Sequence, residues 1–257
     1  MGMKQILVMM MAVVLVGCGT TKIDSNSPLN ISDSIVEAAV HKSLNRTQGV
    51  LTKGDLAKVT ALHLYNSLIT DKGLKEVAKL QQLKQLYLSY TEITDVGLIE
   101  LLKLQKLNHL TLNGTKITDT GLKELAKLQE LTMLSLGKTK ITDLSLKEVA
   151  KLNKLIHLSL YQTAITNKGL IELAKLHKLE LLILDHTKID DKGLKEVGLL
   201  QNLKNLDLSH NRITDAGLRE LVKLQKLEEV NLTGTKVTKE GVVELRKALP
   251  NCQIFGP

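Results

Sequence analysis

Hydrophobic residues recur along most of this chain with a period of 24 residues. Counting at that spacing places the starts of eight units, with no insertion between them, at Val59, Leu83, Leu107, Leu131, Leu155, Leu179, Leu203 and Leu227. Self-similarity at such a period predicts a stacked array of structural repeats. We number these units repeats 1 to 8.

Each repeat has two halves with different hydrophobic periods, as repeat 3 shows. In its first half, Leu110 and Leu112 alternate with polar residues, which predicts a short strand buried on one face. In its second half, leucines spaced by three across residues 122–128 predict a short helical segment. Thr118 or Asp119 can cap the first turn of that segment. The pattern therefore predicts a strand, a turn, a helix and a second turn.

One repeat cannot fold by itself. It buries about seven aliphatic side chains, and each stabilises the fold by roughly 1.5–3 kcal/mol. Ordering the backbone costs roughly 1–2 kcal/mol for each residue of the repeat. Because stacking buries both flanks of a repeat, we expect one parallel sheet on the inside of an arc and the bulkier helices on the outside.

The L-x-x-L-x-L head of each repeat resembles the leucine-rich repeat family. The I-T-D-x-G-L tail, at residues 117–122 and 213–218, is similar to that of the ribonuclease-inhibitor and F-box-protein branch. The resemblance covers residues 59 to about 255 and implies an α/β fold class. The implied architecture is a curved, right-handed solenoid with a parallel concave sheet and convex helices. It does not define the function, because such solenoids bind many unrelated partners.

A few positions depart from the family pattern. The ninth position, often Asn in the family, is Thr or Ser in seven repeats and Asn only at Asn211. A hydroxyl makes fewer hydrogen bonds than an amide. The turn glycine, which at Gly121 allows a tight approach or an unusual φ, is Ser145 in repeat 4. The Asp of the tail is Asn167 in repeat 5 and Lys239 in repeat 8. These changes question the local regularity and not the fold.

The N-terminus resembles that of a bacterial lipoprotein. Lys4 precedes an apolar run, Ile6 to Val16, that is too short for a stable transmembrane helix and predicts a cleaved signal peptide over residues 1–17. Leu15 to Cys18 resembles a lipobox, which implies cleavage before Cys18, diacylglycerol on its sulfur and an acyl chain, typically palmitate, on its amine. An ordinary signal peptide with a chance cysteine is the alternative. Gly19 after the cysteine favours the outer membrane by the sorting rule of enteric bacteria.

The segments that flank the repeats are predicted to tether and cap them. Residues 18–31, which begin with the lipidated cysteine, are rich in Ser, Thr and Asn and predict a flexible tether. Residues 32–58 predict a helical N-terminal cap. There Ser34-x-x-Glu37 resembles a capping box, and Thr52-x-x-Asp55 opens a second short helix.

The eight repeats occupy residues 59–250, and residues 251–257 predict a C-terminal capping strand. Cys252 stands there at an inward leucine position. If Cys18 is lipidated, Cys252 has no disulfide partner, and we expect a small buried apolar residue.

The formal net charge of +8 raises the question of a basic binding face. Most lysines belong to one column on the helical side: Lys79, Lys103, Lys127, Lys151, Lys175, Lys223 and Lys247. A glutamate three residues earlier accompanies each of them, so this face largely compensates its own charge. Attraction to peptidoglycan or anionic lipid is the functional alternative. Nucleic-acid binding conflicts with export.

The expected sheet face carries the candidate ligand-binding residues. All four tyrosines are predicted at outward strand positions, and Tyr65, Tyr87 and Tyr90 are expected to form one patch. Five histidines share this face or its edge: His63, His109, His157, His186 and His210. Strands favour aromatic residues anyway, whereas tyrosine is also enriched at interfaces. The candidate binding residues are Tyr65, Tyr87, Tyr90, His109, Met133, His157, Tyr161, Ile183, Asp185 and Asp207.

Two further groups change the character of this face along the array. Apolar side chains are added in its middle by Met133, Ile156, Leu181 and Ile183. Towards the C-terminus the face is predicted to become acidic through Glu180, Asp185, Asp207, Glu228 and Glu229. A surface graded in this way favours a binding function over a purely structural one.

The sequence contains no enzyme signature. It has no Gly-rich phosphate loop and no G-x-S-x-G, C-x-x-C or H-E-x-x-H spacing. His186 and His210, one repeat apart and near Asp185 and Asp207, are the nearest approach to a metal site. Adjacent histidines at a strand edge are usually polar surface, so no catalytic residue, metal or cofactor is predicted.

Together these patterns predict a monomeric, non-enzymatic lipoprotein of the bacterial cell envelope, with its repeats facing the periplasm or the exterior. Its concave sheet face is expected to bind a protein or peptide. The alternative is a structural envelope protein that contacts peptidoglycan or anionic lipid through its basic convex face.

Overall fold

The computed structural model describes residues 25–257, which contain one sheet of nine strands in chain order. The predicted signal peptide and Cys18 lie outside the described residues. Among residues 25–257, no helix combines the length and the hydrophobicity needed to cross a membrane.

Short helices alternate with short strands along the repeats. The helices are α1 (Ser34–Ser43), α2 (Lys53–Leu56), α3 (Asp71–Val77), α4 (Asp95–Leu101), α5 (Asp119–Leu125), α6 (Asp143–Val149), α7 (Asn167–Leu173), α8 (Leu194–Val197), α9 (Asp215–Leu221) and α10 (Lys239–Ala248). The strands are β1 (Ala61–His63), β2 (Gln85–Tyr87), β3 (His109–Thr111), β4 (Met133–Ser135), β5 (His157–Ser159), β6 (Leu181–Ile183), β7 (Asn205–Asp207), β8 (Glu229–Asn231) and β9 (Gln253–Phe255).

Paired residues of neighbouring strands are separated by the same 24 residues as the repeats of the sequence. Each strand pairs in parallel with the next, and Leu62, Leu86 and Leu110 are aligned partners in β1, β2 and β3. The same pairing continues through β9. The aliphatic residue at the centre of each strand therefore meets its equivalent in the next repeat, and the predicted leucine-rich repeat solenoid is confirmed.

The core lies between the sheet and the helices. Leu110 and Leu112 are fully buried beneath the sheet, and Leu122, Leu125 and Leu128 close the layer from the other side. The predicted helical segment is too long at its end, because α5 stops at Leu125 and Leu128 packs from the following turn. We use the name sheet face for the side chains of β1–β9 and their following turns that point away from this core.

Polar side chains tie the turns to the strands. The Thr115 hydroxyl donates a hydrogen bond of 2.6 Å to the carbonyl of Leu112, and the other Thr and Ser residues of this column do the same. Asn211 does more: its amide donates to the carbonyls of Leu184 and Leu208, and its oxygen accepts from Thr187. A hydroxyl at the ninth position thus ties its own turn, whereas the amide ties two repeats.

A second ladder connects the helix starts of successive repeats. Thr118 caps α5, and its hydroxyl accepts a hydrogen bond from Thr120 N. Asp119 faces the next repeat, where it accepts from the backbone N and hydroxyl of Thr142 at 2.8 and 2.7 Å. The same link recurs from Asp71, Asp95, Asp143, Asp191 and Asp215. Each Asp therefore helps to dock the following repeat.

The departures from the consensus are accommodated at this ladder. Gly121 is needed for close approach, since a Cβ there would collide with the Asp95 carboxylate. Ser145 is fully buried, and its hydroxyl donates to Asp119 instead of colliding with it. Asn167 accepts from Asp190 N and donates to the Asp190 carboxylate. Helices α6 and α7 keep the seven residues of α5, so repeats 4 and 5 are regular.

Repeats 6 and 8 differ from the others in helix length. In repeat 6, Asp190 replaces the capping Thr. Helix α8 begins only at Leu194, after Gly193, and is four residues long. In repeat 8, α10 begins at Lys239 and extends to ten residues. The shortening of α8 is a departure that the hydrophobic pattern does not reveal.

Replacing Asp119 with Asn should make the protein less stable by about 1–3 kcal/mol, because hydrogen bonds to a charged acceptor are lost. Burial by itself would raise the pKa of Asp119, but hydrogen bonds from Ser145 and Thr142 outweigh it and lower the pKa from its usual 3.8. A lowered folded-state pKa gives stability that is present above the unfolded-state pKa and lost as pH falls through the folded-state value. Urea unfolding at pH 7 and below about pH 4 measures both effects.

The control for this change is Glu124→Gln, which removes the same charge from an exposed ion pair of the same helix. It should change the stability by less than about 1 kcal/mol. Equal losses in the two variants, or an Asp119→Asn loss that does not shrink in acid, would contradict the role of the ladder.

Residues 32–58, the predicted N-terminal cap, contain α1 and α2, with one correction. Helix α1 is capped by Asp33, whose carboxylate accepts from Ile35 N and Val36 N, and the predicted capping box at Ser34 is wrong. The Asp side chain takes this role because it directly precedes the first helical residue. Helix α2 begins after Thr52 as predicted, and Thr52 and Asp55 form a capping box in which hydrogen bonds from Thr52 lower the pKa of Asp55 to about 2.

The predicted tether is too long. Residues 25–31 pack on the cap, with an antiparallel bridge between Pro28 and Thr52 and a 2.8 Å hydrogen bond from Leu29 N to the carbonyl of Leu51. Ile31 is buried in the core. Leu29 and Ile31 alternate with polar residues, which lets this segment bury one side.

Strand β9 lies within residues 251–257, where a capping strand is predicted, and pairs with β8. Cys252 is buried as an inward residue just before this strand, and burial raises the pKa of its thiol to about 11. The thiol is therefore protonated at neutral pH and behaves as a small core residue.

Candidate functional site

The sheet face displays two continuous rows of outward side chains. One row begins with Ala61, Gln85 and His109, and the other begins with His63, Tyr87 and Thr111. Because parallel partners lie about 4.8 Å apart, successive members of a row touch. Met133, His157 and Ile183 follow in these rows, as predicted, and each is half-buried.

An aromatic cluster lies at the N-terminal end of the sheet face. The ring of His63 stacks on Tyr87 with 4.4 Å between centroids and meets the edge of Tyr65 at 6.3 Å. Tyr87 also contacts His109 at 4.9 Å. Tyr65 is 56% exposed. We call these four residues the aromatic cluster.

The aromatic cluster is a correction of the predicted tyrosine patch. Tyr90 does not join Tyr65 and Tyr87, and only Tyr87 lies within a strand. Tyr90 has a φ of +58° and stands in the turn after β2, which directs its side chain along the edge of the sheet. The hydroxyl of Tyr90 is 2.8 Å from that of Tyr161, which lies three repeats further along the array.

The left-handed turn position explains this geometry. It has a φ between +51° and +68° in every repeat, at Asn66, Tyr90, Gly114, Lys138, Gln162, His186, His210 and Gly234. Non-glycine residues in this region are uncommon and strained. Five bulky side chains at this column therefore project from one edge of the sheet face.

The tyrosine pair spans this edge between repeats 2 and 5. The ring of Tyr90 lies over Gly114, and the ring of Tyr161 lies over Gly137, where a Cβ would collide with each ring. Lys138 Nζ is 5.8 Å from the Tyr90 centroid and 5.9 Å from that of Tyr161. Burial, and the hydrogen bond shared with Tyr90, raise the pKa of Tyr161. The pair thus presents an aromatic rim beside an ammonium group.

The middle of the sheet face is lined by small hydroxyl side chains, Thr111, Ser135 and Ser159, which are register partners. His109 and His157 flank them. Burial lowers the pKa of His109, and the nearby His157 adds to this effect. His109 is therefore less readily protonated than a free imidazole.

The C-terminal end of the sheet face is acidic in part. Glu180 is paired with Lys204 at 2.9 Å, so it adds no net negative charge, which corrects one member of the predicted acidic group. Asp207, Glu228 and Glu229 form no ion pair within residues 25–257. The predicted gradient from aromatic to acidic is present with that exception.

The two histidines at the edge of the sheet face are stacked on each other. The rings of His186 and His210 are 4.1 Å apart, and His186 Nδ1 lies 3.1 Å from an Asp185 carboxylate oxygen. In the part of the chain that the structure describes, no three His, Cys, Asp or Glu side chains converge on a possible metal position.

The lysine column of the opposite, helical face is paired with the glutamate column, as predicted. Lys127 Nζ lies 2.6 Å from a Glu124 carboxylate oxygen. Equivalent pairs join Glu76 to Lys79, Glu100 to Lys103, Glu148 to Lys151, Glu172 to Lys175, Glu220 to Lys223 and Glu244 to Lys247. This face offers little unpaired charge in the lysine column.

Sequence reasoning missed the tyrosine pair and the role of Lys138. A signal for them exists, because Gly114 and Gly234 mark the same column as Tyr90 and Lys138. A column that contains glycine in two repeats suggests a left-handed φ throughout, and hence side chains that do not follow the strand alternation.

Comparisons with known proteins agree with this architecture. A sequence profile described as "Leucine Rich repeats (2 copies)" matches residues 201–241, and one described as "Leucine Rich repeat" matches residues 79–102, 103–126 and 175–198. No curated protein matches the chain.

Two solved structures from bacteria are similar to the chain. Internalin C2 from Listeria monocytogenes has 28% sequence identity and a TM-score of 0.69, over 91% of this chain and 99% of that one. A leucine-rich repeat protein from Leptospira interrogans has 24% identity and a TM-score of 0.57, over 78% of this chain and 61% of that one. The second likeness concerns the fold alone. The matching profiles, the 24-residue register of the sheet and the likeness to internalin C2 show that this chain is built from leucine-rich repeats.

Proposed function

We propose that this protein is a monomeric, non-enzymatic binding protein that holds a protein or peptide partner on its sheet face. The aromatic cluster carries the proposal. Tyr65 and Tyr87 stand with two imidazole rings in one continuous, solvent-accessible surface. Tyrosine supplies a large rigid contact area at low entropic cost, and aromatic side chains are enriched at the centres of interfaces.

The helical face is a weaker candidate for the same role. Its lysine column is paired with glutamates along the array, so the attraction to peptidoglycan or anionic lipid is reduced. Solvent-exposed ion pairs of this kind contribute little to stability or binding. The structural envelope role therefore stands as the rival outcome of the binding experiment.

Photo-crosslinking tests which face binds. A photoreactive benzoyl-phenylalanine is placed at Thr111, in the middle of the sheet face, or at Lys123 on the exposed side of α5. In cells that produce the protein, the Thr111 probe should form a discrete crosslinked species that the Lys123 probe does not form. A discrete partner crosslinked only from Lys123 would favour the helical face and overturn the proposal.

We also propose that the protein is a lipoprotein of the bacterial envelope, anchored through Cys18. In a cell with two membranes, the anchor would lie in the outer membrane. The lipobox-like residues 15–18 support this anchor. Two or more acyl chains hold a protein stably on a bilayer, so the repeats would face the periplasm or the exterior. The sheet face would then be presented to partners of that compartment.

Replacing Cys18 with Ser should abolish the incorporation of labelled palmitate and release the protein from the membrane fraction. The chain offers a matched control, because Cys252→Ser removes the other cysteine from a buried position. Metabolic labelling followed by gel autoradiography should show full label in the control. Labelling that persists in Cys18→Ser would contradict the lipid anchor.

A further inference from the structure

A cavity of about 330 Å³ opens on the sheet face across β6, β7 and β8. Its outward side chains are Leu181, Ile183, Asn205, Asp207, Glu229 and Asn231. They form a grid of two rows in register, with Leu181, Asn205 and Glu229 in one row and Ile183, Asp207 and Asn231 in the other. We call this cavity the C-terminal pocket.

The C-terminal pocket has an apolar half on β6 and a polar half on β7 and β8. On β6, Leu181 and Ile183 form an apolar wall that is only half-buried. On β7 and β8, each carboxylate has an amide beside it in its own row. A ligand group that fits this pocket therefore needs an apolar stem and a polar head that donates hydrogen bonds.

No ion pair within the described residues neutralises the two carboxylates of the C-terminal pocket. Asp207 and Glu229 form no ion pair with any other residue of the described part of the chain. The ammonium of Lys204, which directly precedes β7, is held by Glu180 at 2.9 Å. The head of a ligand bound here should accordingly be cationic.

The carboxylates are held in place without being saturated. Asp207 accepts from Ser209 N at 2.8 Å and from the Asn231 amide at 3.2 Å, one bond to each oxygen. Glu229 accepts one long bond of 3.5 Å from the Asn205 amide. An ionised carboxylate has about four acceptor positions, so both groups retain capacity for a ligand.

We infer that the C-terminal pocket binds an arginine side chain of a protein or peptide partner. This inference rests on the proposed function, since it names the chemistry of a partner on the same face. The aliphatic stem of arginine can pack on Leu181 and Ile183, as such stems do on apolar surfaces. Its guanidinium then reaches Asp207 and Glu229.

Arginine fits this grid better than lysine does. Asp207 and Glu229 are diagonal neighbours on adjacent parallel strands, and a strand spacing of about 4.8 Å with a rise of about 3.3 Å per residue places their Cα atoms roughly 8 Å apart. A planar guanidinium carries five donors in a fixed fork and can address two carboxylates at once. An ammonium is a compact, strongly hydrated point charge and meets one carboxylate at a time.

Immobilised peptide pools provide the test. Each pool has a randomised sequence around a fixed central residue, which is arginine, lysine, the neutral isostere citrulline or norleucine. The full chain is applied in a mild non-ionic detergent. The arginine pool should retain at least about tenfold more protein than the citrulline pool, because charge-assisted hydrogen bonds contribute at least about 1.4 kcal/mol.

Two charge-matched double variants separate the pocket from general electrostatics. Asp207→Asn with Glu229→Gln should abolish the preference for arginine. Glu124→Gln with Glu148→Gln changes the net charge equally on the helical face and should keep the preference. A further variant, Asn205→Lys, places a competing ammonium in the pocket and should also abolish it. Thermal melting identifies any variant that fails to fold, and the remaining pocket variant then decides.

Several results would overturn the inference. Equal retention on the arginine and citrulline pools, an undiminished preference in the folded pocket variants, or the same loss in the helical-face control would each do so. Equal retention on arginine and lysine would overturn the assignment of arginine. If the preference maps to the pocket but crosslinks form only from Lys123, the proposed function fails and the pocket stands. If crosslinks form from Thr111 without any arginine preference, only the pocket inference fails.

Discussion

Leu136→Asp is expected to lower the free energy of unfolding by at least about 4 kcal/mol. Leu136 follows β4 and is fully buried, between the equivalent Leu112 and Leu160 of the neighbouring repeats. The change removes a packed leucine, which by itself costs about 2–5 kcal/mol, and introduces a carboxylate with no cation beside it. Because each repeat is stabilised by its neighbours, a defect in repeat 4 weakens the stack on both sides. Urea unfolding followed by circular dichroism measures the loss.

The neighbouring residue supplies the matched control for this prediction. Ser135 is the last residue of β4 and points to the sheet face. Ser135→Asp introduces the same carboxylate one residue away, where it stays in contact with water, and should change the stability by less than about 1 kcal/mol. Similar losses in the two variants would mean that the assignment of inward and outward residues along β4 is wrong.

The fold is predictable from the sequence because one physical demand repeats in every unit. Leu110 and Leu112 have to be buried on one face of a strand, and Leu122 and Leu125 on one side of a helix. The period then fixes the register, since a one-residue shift of a strand would place polar residues opposite its neighbour's leucines. The hydrophobic pattern therefore determines both the element order and the parallel sheet.

The hydrogen bonds from each Thr to the Asp of the preceding repeat are visible in the sequence only as a recurring T-D pair. The bonded partners are separated by 23 residues, as in Asp119 and Thr142. A local interpretation assigns both residues of the pair to one helix cap, whereas the structure assigns Thr118 to its own helix and Asp119 to the next repeat. Hydrophobic periodicity does not predict which repeat such a polar side chain contacts.

The candidate binding residues were predictable where they lie in strands and not where they lie in turns. Tyr87, His109 and His157 project from the sheet because the strand alternates. Tyr90 projects along the edge because its turn has a positive φ, which the alternation of the strand does not include. The backbone conformation of that turn is set by the stacking of neighbouring repeats, so the Tyr90–Tyr161 pair is a product of the assembled array.

The double replacement Tyr65→Ser and Tyr87→Ser is expected to weaken the retention of the partner at least about thirtyfold. Aromatic anchors commonly contribute about 2 kcal/mol or more at interfaces, and about 1.4 kcal/mol corresponds to a factor of ten. Both residues belong to the aromatic cluster, so one change removes its two largest rings. Neither residue belongs to the buried core, and the melting temperature should stay close to that of the unaltered chain. Titration of the crosslinked partner against each variant measures the affinity.

The lysine column provides the opposing arm of this experiment. Changing Lys127, Lys151 and Lys175 to Gln removes three charges from the helical face and leaves the sheet face unaltered. If the sheet face binds the partner, this variant should retain it within about a factor of two, since exposed ion pairs contribute little. If the lysine variant instead loses the partner while the tyrosine variant keeps it, the partner sits on the helices. The structural role at the envelope surface would then replace the sheet-face proposal, because the aromatic cluster would have no part in binding.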